Sequence, residues 1–335
     1  MSNSKVVSIR DIAKKCNVSP STVSRVINNK GRISKEKRQM ILKAIEDSGY
    51  TVAQNNKKIF SSNIIGLLFP RLITFFYPHL IDELEIALLK NGYSPVIMLH
   101  NDDVETENNC LNIFAELDIK GLIMVPATRA IPENFNEALS DIPAVFVNVD
   151  HKDSYYTINS DQFYGGQLAA LEFINKGCKK PLIICRRNSS AISNLRVEGF
   201  IDIFNRNNIK IRKENILTCN RNKGSFSEAK DLIKYAYISG LEFDCVFADS
   251  DWKAFGSLVA LQELGYRIPE EIKIIGYDDS DITKFTFLPI TSISQELPEF
   301  SKRTVDLLLS LIHNNKSEIT ENNTISVSLK SRQTT

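Results

Sequence analysis

The sequence predicts a small all-α helix-turn-helix unit followed by an α/β domain of two lobes, each a doubly wound parallel sheet. Three observations carry this prediction. The 335 residues are too many for one small domain and suit two or three units of ~100 to 150 residues. Charge is segregated along the chain: residues 1–60 hold 13 Lys and Arg against 4 Asp and Glu, net +9, which leaves net −8 on the remaining 275 residues. From residue 61 onward, apolar strand-like runs alternate with amphipathic helical stretches, the rhythm of a parallel sheet flanked by helices.

The short basic unit points to a polyanionic partner. With 43% hydrophobic and 24% charged residues, the chain has the composition of an ordinary globular protein, neither disordered nor fibrous. Its six cysteines, Cys16, Cys110, Cys178, Cys185, Cys219 and Cys245, are scattered, with no CxxC pair and no Cys/His spacing suited to zinc. They read as small buried hydrophobes, and neither a metal nor a cofactor is expected. The start MSNSKVVSIRD has no apolar core of a leader, and no stretch of 18 or more apolar residues follows. A soluble, cytoplasmic, membrane-free protein is the expectation.

In the basic unit, Ser8 can cap a helix from Ile9, with Asp11 completing a capping-box variant. Ile9, Ile12, Ala13 and Cys16 then share one apolar face. After the turn Asn17-Val18-Ser19, Pro20 suits the first position of a second helix, where its missing N–H costs nothing. Val23, Val26 and Ile27 of that helix face inward, and Ser21, Arg25 and Asn28, spaced by four and three, line its opposite side. Asn28-Asn29-Lys30-Gly31 breaks it. Ser34 caps a third helix, whose Ile41, Ala44 and Ile45 complete the core before Gly49.

The run SIRDIAKKCNVSPSTVSRVINNKGRISKEKRQMILKAIEDSGY resembles the DNA-binding headpiece of the lactose-repressor (LacI/GalR) family. Val18-Ser19-Pro20-Ser21-Thr22-Val23-Ser24-Arg25-Val26-Ile27-Asn28 is its most diagnostic part. Arg25 has the reach and fork for the guanine edge in the major groove, with Pro20 and Ser21 at the helix start that enters the groove. The resemblance implies that Ser19, Thr22, Asn28 and Arg32 contact phosphates, which positions the headpiece without reading sequence. Ser8 belongs to the same DNA-binding set.

After Tyr50 the family usually shows Pro-Asn, an Ala-Arg pair, and a Leu that wedges into the minor groove. Here Lys57 matches in charge and Ile59 falls at the wedge position, but Val52, Ala53 and Asn56 depart from the pattern, and paired Asn residues lower helix propensity. Residues 51–60 are read as a hinge or linker between a headpiece at 1–50 and an effector-binding and dimerisation domain at 61–335.

Strands are expected at Asn63 to Phe69, Tyr93 to Leu99, Gly121 to Ala127 and Pro143 to Val149, and again at Pro181 to Arg186, Asn215 to Cys219, Asp244 to Ser250 and Ile272 to Asp278. The family resemblance continues through this half, which is also similar to periplasmic sugar-binding proteins. It implies a first lobe at 61–160 plus 291–322 and a second at 161–290 plus 323–335. Ligands of doubly wound sheets bind beyond the carboxyl ends of strands. By the family's motifs Arg196 and Asp278 match its effector-contacting pair, able to fork vicinal hydroxyls. Phe76 and Tyr77 match an aromatic pair, and Asn148 a polar pocket position. Ser250 stands where the family usually has Asn, with Asp251 retained.

The implied function is a sequence-specific transcription regulator, a repressor, binding palindromic double-stranded operator DNA as a homodimer and controlled by a small effector, a sugar. The C-terminal Ser331-Arg332-Gln333-Thr334-Thr335 carries no appended heptad helix to build a tetramer. A phosphorylated carrier protein or a purine or nucleoside stands as the alternative control. An enzyme is not expected: no G-x-G-x-x-G or P-loop is present, and His79, His100, His151 and His313 fall in no nucleophile-and-base or metal pattern. A transporter's solute-binding protein would not need the basic helix-turn-helix.

Overall fold

The computed structural model describes residues 9–27, 33–48, 63–72, 75–132, 135, 139, 141–149, 155–186, 191–219, 225–315 and 323–335. Chain contacts divide it into two units, residues 1–61 and 62–335.

In the first unit three helices, α1 (Ile9–Lys15), α2 (Pro20–Ile27) and α3 (Lys35–Asp47), enclose a core of Ile12, Ala13, Cys16, Val23, Val26, Ile41 and Ala44. The turn after α1 closes because Asn17 adopts a left-handed φ of 50°, which Asn tolerates better than most residues, and the Val18 N–H then reaches the Ala13 carbonyl. Ser19 caps α2: its Oγ accepts the Thr22 N–H at 3.2 Å. Ser34 stands in the same relation to the Lys37 N–H at 3.4 Å. The side chains of Ile9 and Ile27, the breaker at 28–31, Gly49 and the linker at 51–60 lie outside the described residues.

The second unit holds two six-stranded sheets. The first runs β11-β5-β4-β3-β1-β2, from β1 (Ile64–Phe69), β2 (Ser94–Leu99), β3 (Gly121–Met124), β4 (Ala144–Val147), β5 (Tyr156–Ser160) and β11 (Thr324–Ile325). All its pairings are parallel. The second runs β12-β10-β9-β8-β6-β7, from β6 (Pro181–Arg186), β7 (Ile216–Cys219), β8 (Cys245–Ala248), β9 (Lys273–Asp278), β10 (Thr291–Ser294) and β12 (Ser328–Lys330). This sheet too is parallel, as expected, apart from its C-terminal edge, where β12 runs antiparallel to β10.

Helices on both faces bury the central strands twice over, which is why β1 reads Ile-Ile-Gly-Leu-Leu-Phe without alternation. Ile65, Leu67 and Phe69 join one core, and Ile64 and Leu68 the other. The second sheet divides β8 the same way, Val246 and Ala248 to one core, Cys245 and Phe247 to the other.

Three segments pass between the sheets. The first is Asp161, whose Oδ1 accepts the Tyr164 N–H at 2.9 Å and so caps the helix Gln162–Asn175. The second lies between Ser294 and the helix Leu297–Ile312, and the third between Ile325 and Ser328. The lobes were expected to divide at 291 and 323. Instead β10, fully buried and in parallel register with β9, keeps 291–294 in the second lobe, and β11 keeps 324–325 in the first.

Candidate functional site

Close approach of two helices sets the geometry around Arg196. A Cβ at Gly166, on the helix Gln162–Asn175, would strike the Arg196 carbonyl, and one at Gly199 the Phe163 carbonyl. With hydrogen in both places, the helix Ala191–Arg206 brings Arg196 against Gln162. The Arg196 Nε donates to Gln162 Oε1 at 2.6 Å, and its Nη1 to the Asp249 carbonyl at 2.7 Å and to Asp278 Oδ1 at 3.3 Å. Its guanidinium lies 3.8 Å from the centroid of the buried Tyr277 ring.

Gln295 closes the arrangement. Its Nε2 donates to Asp278 Oδ1 at 2.7 Å, while its Oε1 accepts from Gln162 Nε2 at 3.0 Å. Arg196, Gln162, Gln295 and Asp278 therefore form one ring of hydrogen bonds. Burial pushes the Asp278 carboxyl up to about 6, and Asp249 adds repulsion, against the pull of Arg196 and the Gln295 hydrogen bond. Burial also works against a charged Arg196, yet Asp278, Tyr277 and Asp249 bring it out above the usual arginine value.

Asp249, Asp278 and Gln295 each end or directly follow a strand, as ligand-facing residues of doubly wound sheets do. Beside them Asp249 Oδ1 pairs with Lys253 Nζ at 2.5 Å, and its Oδ2 accepts the Arg186 N–H at 2.9 Å. Ser250 stands at the N-cap of the helix Asp251–Glu263 without capping it. Its Oγ accepts from Lys253 Nζ at 3.3 Å. Asp251 is a structural clip: its carboxylate accepts from Ser292 Oγ, Ser280 Oγ and the Ser280 N–H. Burial and the neighbouring Asp278 raise its carboxyl well above the usual range.

On the first lobe Asn148 follows β4 with a left-handed φ of 54°. Its Oδ1 is buried with no hydrogen-bond partner among the described residues. Phe76 lies in the first lobe's core, while Tyr77 packs against that core, half-buried, with the Arg129 guanidinium 5.7 Å from its ring centroid. The exposed ring is one residue earlier: Phe75 meets Trp252 edge-on at 5.3 Å, joining the lobes. Sequence reasoning missed Phe75, Trp252, Gln162, Gln295 and the Asp249–Lys253 pair. The lone tryptophan, directly after Asp251, was the one signal that pointed there.

Of the DNA-binding set, Ser19 and Pro20 are exposed at the start of α2, and Thr22 is half-buried behind them. The Ser19 and Thr22 hydroxyls share a 2.8 Å hydrogen bond. Ser8, Asn28, Arg32, Lys57 and Ile59 lie outside the described residues, as do the side chains of Ser21 and Arg25. No helix among the described residues is long and apolar enough to cross a membrane.

Residues 8–52 match the family model described as bacterial regulatory proteins, lacI family, and residues 170–335 match that of the periplasmic binding protein-like domain. The chain is 29% identical over 310 residues to the sucrose operon repressor of Streptococcus mutans, covering 92% of this chain and 93% of that one. Among solved structures it is similar to the lac repressor dimer bound to operator and the anti-inducer ONPF, with TM-score 0.72, 23% identity and coverage of 98% and 99%. A LacI family transcriptional regulator from Enterococcus faecalis V583 with bound ribose gives TM-score 0.69 and 25% identity, covering 81% of this chain and 98% of that one.

Fold and site together define a DNA-binding transcription regulator whose helix-turn-helix headpiece is joined to a two-lobed ligand-binding domain. The chain belongs to the LacI family of bacterial regulatory proteins.

Proposed function

We propose that this chain represses a carbohydrate-utilisation operon and that a sugar, held between the lobes, controls it. The Arg196–Gln162–Gln295–Asp278 ring carries the reading. It presents a cation, a carboxylate and two amides at strand carboxyl ends, the donor and acceptor mixture that recognises vicinal hydroxyls. Asn148 contributes a buried acceptor unpartnered among the described residues, Tyr77 and the Phe75–Trp252 pair aromatic surface, and Ser250 a hydroxyl. The ribose held by the Enterococcus faecalis regulator and the sucrose operon named for the Streptococcus mutans repressor support the ligand class.

The headpiece reads a palindromic operator as a homodimer, because one recognition helix reads only one half-site. Arg25, Pro20 and Ser21 specify bases; Ser8, Ser19, Thr22, Asn28, Arg32 and Lys57 hold the backbone; Ile59 is the minor-groove wedge at the end of a hinge over 51–60. The protein acts where its operator is, in the cytoplasm, and performs no catalysis. Selection of palindromes from random duplex, followed by a thermal-shift screen of sugars, tests this. Recovery of one preferred palindrome and stabilisation by a sugar are expected; no preference over random DNA at moderate salt would end the reading.

A further inference from the structure

At the opposite end of the second sheet from the strand carboxyl ends, the fold assembles a group that the spacing of the cysteines hides. Cys178 follows the helix Gln162–Asn175, and Cys245 opens β8 beside Pro181. Both are buried and free of disulfide bonds. Among the described residues, Cys178 Sγ, Cys245 Sγ and a carboxylate oxygen of Asp244 lie within 4.8 Å of one another. We propose that Cys178, Cys245 and Asp244 form a binding site for a thiophilic divalent cation of the zinc class.

Geometry and charge both suit such an ion. Zinc takes sulfur at ~2.3 Å and oxygen at ~2.1 Å, so tetrahedral ligands stand roughly 3.6 to 3.8 Å apart. The three atoms reach that spacing by closing about 1 Å at most. The carboxylate is already oriented: Asp244 Oδ2 accepts the Lys179 N–H at 2.7 Å and Oδ1 the Lys180 N–H at 2.9 Å. Such outer hydrogen bonds fix the direction of a metal-binding carboxylate. Two thiolates select a soft ion over magnesium or calcium. Coordination releases the two thiol protons, and the resulting ligand charge of −3 meets +2 from the metal and +1 from Lys273, which lies near Cys178 and pairs in register with Cys245. Asp244 is half-buried and leaves a solvent side for the fourth ligand. An ion here would staple the loop at 178–180 to the start of β8, remote from Arg196 and Asp278, so the inference stands independently of the effector reading.

The test uses the full chain, stripped with chelator under reducing conditions and titrated with cobalt(II), then with zinc against a chromophoric chelator. One equivalent per chain and a thiolate-to-cobalt charge-transfer band are expected. Cys178→Ser and Cys245→Ser should each weaken zinc by more than the ~10- to 100-fold that loss of an outer partner costs. Cys110→Ser, in the other lobe's core, should change nothing. Asp244→Asn should keep the band but bind more weakly. The wild-type cobalt spectrum decides even where a cysteine variant fails to fold. Absence of the band, or a band undiminished in both cysteine variants, would overturn the proposal.

Discussion

Gln162 and Gln295, 133 residues apart in sequence, share a buried hydrogen bond of 3.0 Å at two of the three segments that pass between the lobes. Each turns its other amide atom to one half of the Arg196–Asp278 pair. The polar groups proposed to hold the effector are thus tied to the segments that pass between the lobes.

Gln295→Leu tests that tie. The leucine leaves Gln162 Nε2 without its acceptor and Asp278 Oδ1 with Arg196 alone. Orphaned buried polar groups cost about 1–3 kcal/mol, so urea unfolding of the effector-binding domain should show a loss in that range. An unfolding midpoint equal to wild type would show that the ring contributes nothing.

Arg196→Ala removes two of the ring's hydrogen bonds, to Gln162 and Asp278, and the bond to the Asp249 carbonyl at once. Loss of a charge-assisted partner in a closed cleft costs ~2–3 kcal/mol, about a hundredfold in affinity. Calorimetry with the sugar found by thermal shift should record that weakening, while operator affinity without sugar stays near wild type, since the headpiece is a separate contact unit. Sugar binding at wild-type strength would return Arg196 to a purely structural role.

The apolar runs made all eight strands of the two expected series legible, and most plainly the doubly buried ones, Ile64–Phe69 and Cys245–Ala248, which leave continuous hydrophobic stretches. Tyr156–Ser160 escaped, being short and half polar, with Asn159 spending its side chain on Val149. Thr291–Ser294 also escaped: three of its four residues are hydroxylic yet fully buried. Arg196 and Asp278 were legible from motif. Gln162 and Gln295 were not, for their meaning lies in a contact across 133 residues that no periodicity encodes. Phe76 was placed one residue from the exposed ring, since the loop before its helix has no repeat to set its register.

Arg25→Ala should cost ~1–3 kcal/mol on the selected operator and relax discrimination at one base pair of each half-site. Thr22→Ala, by contrast, removes the 2.8 Å bond to Ser19 and the proposed phosphate contact, and should weaken all sequences alike. Binding titrations on operator and on random duplex at one salt concentration separate the two. Equal losses on both DNAs for Arg25→Ala would remove it from base recognition.

Asp278 gives the effector-binding domain a pH dependence with a definite sign. Its carboxyl is raised from 3.8 to about 6, foremost by burial. Between those values the folded protein holds a proton that the unfolded chain has released, so this residue's contribution to stability falls as pH rises from about 4 to about 6 and is level above that. At full strength the gap corresponds to ~2–3 kcal/mol, less whatever proton the neighbouring buried Asp251 takes up. Asp278→Asn removes the titration while keeping an oxygen for Arg196 and Gln295. Unfolding free energies measured from pH 4 to 8 should therefore show wild type losing ground to the variant up to about pH 6 and running parallel beyond. A difference that stays constant across that range, or that grows in wild type's favour as pH rises, would mean that Asp278 is ionised throughout and that Arg196 outweighs its burial.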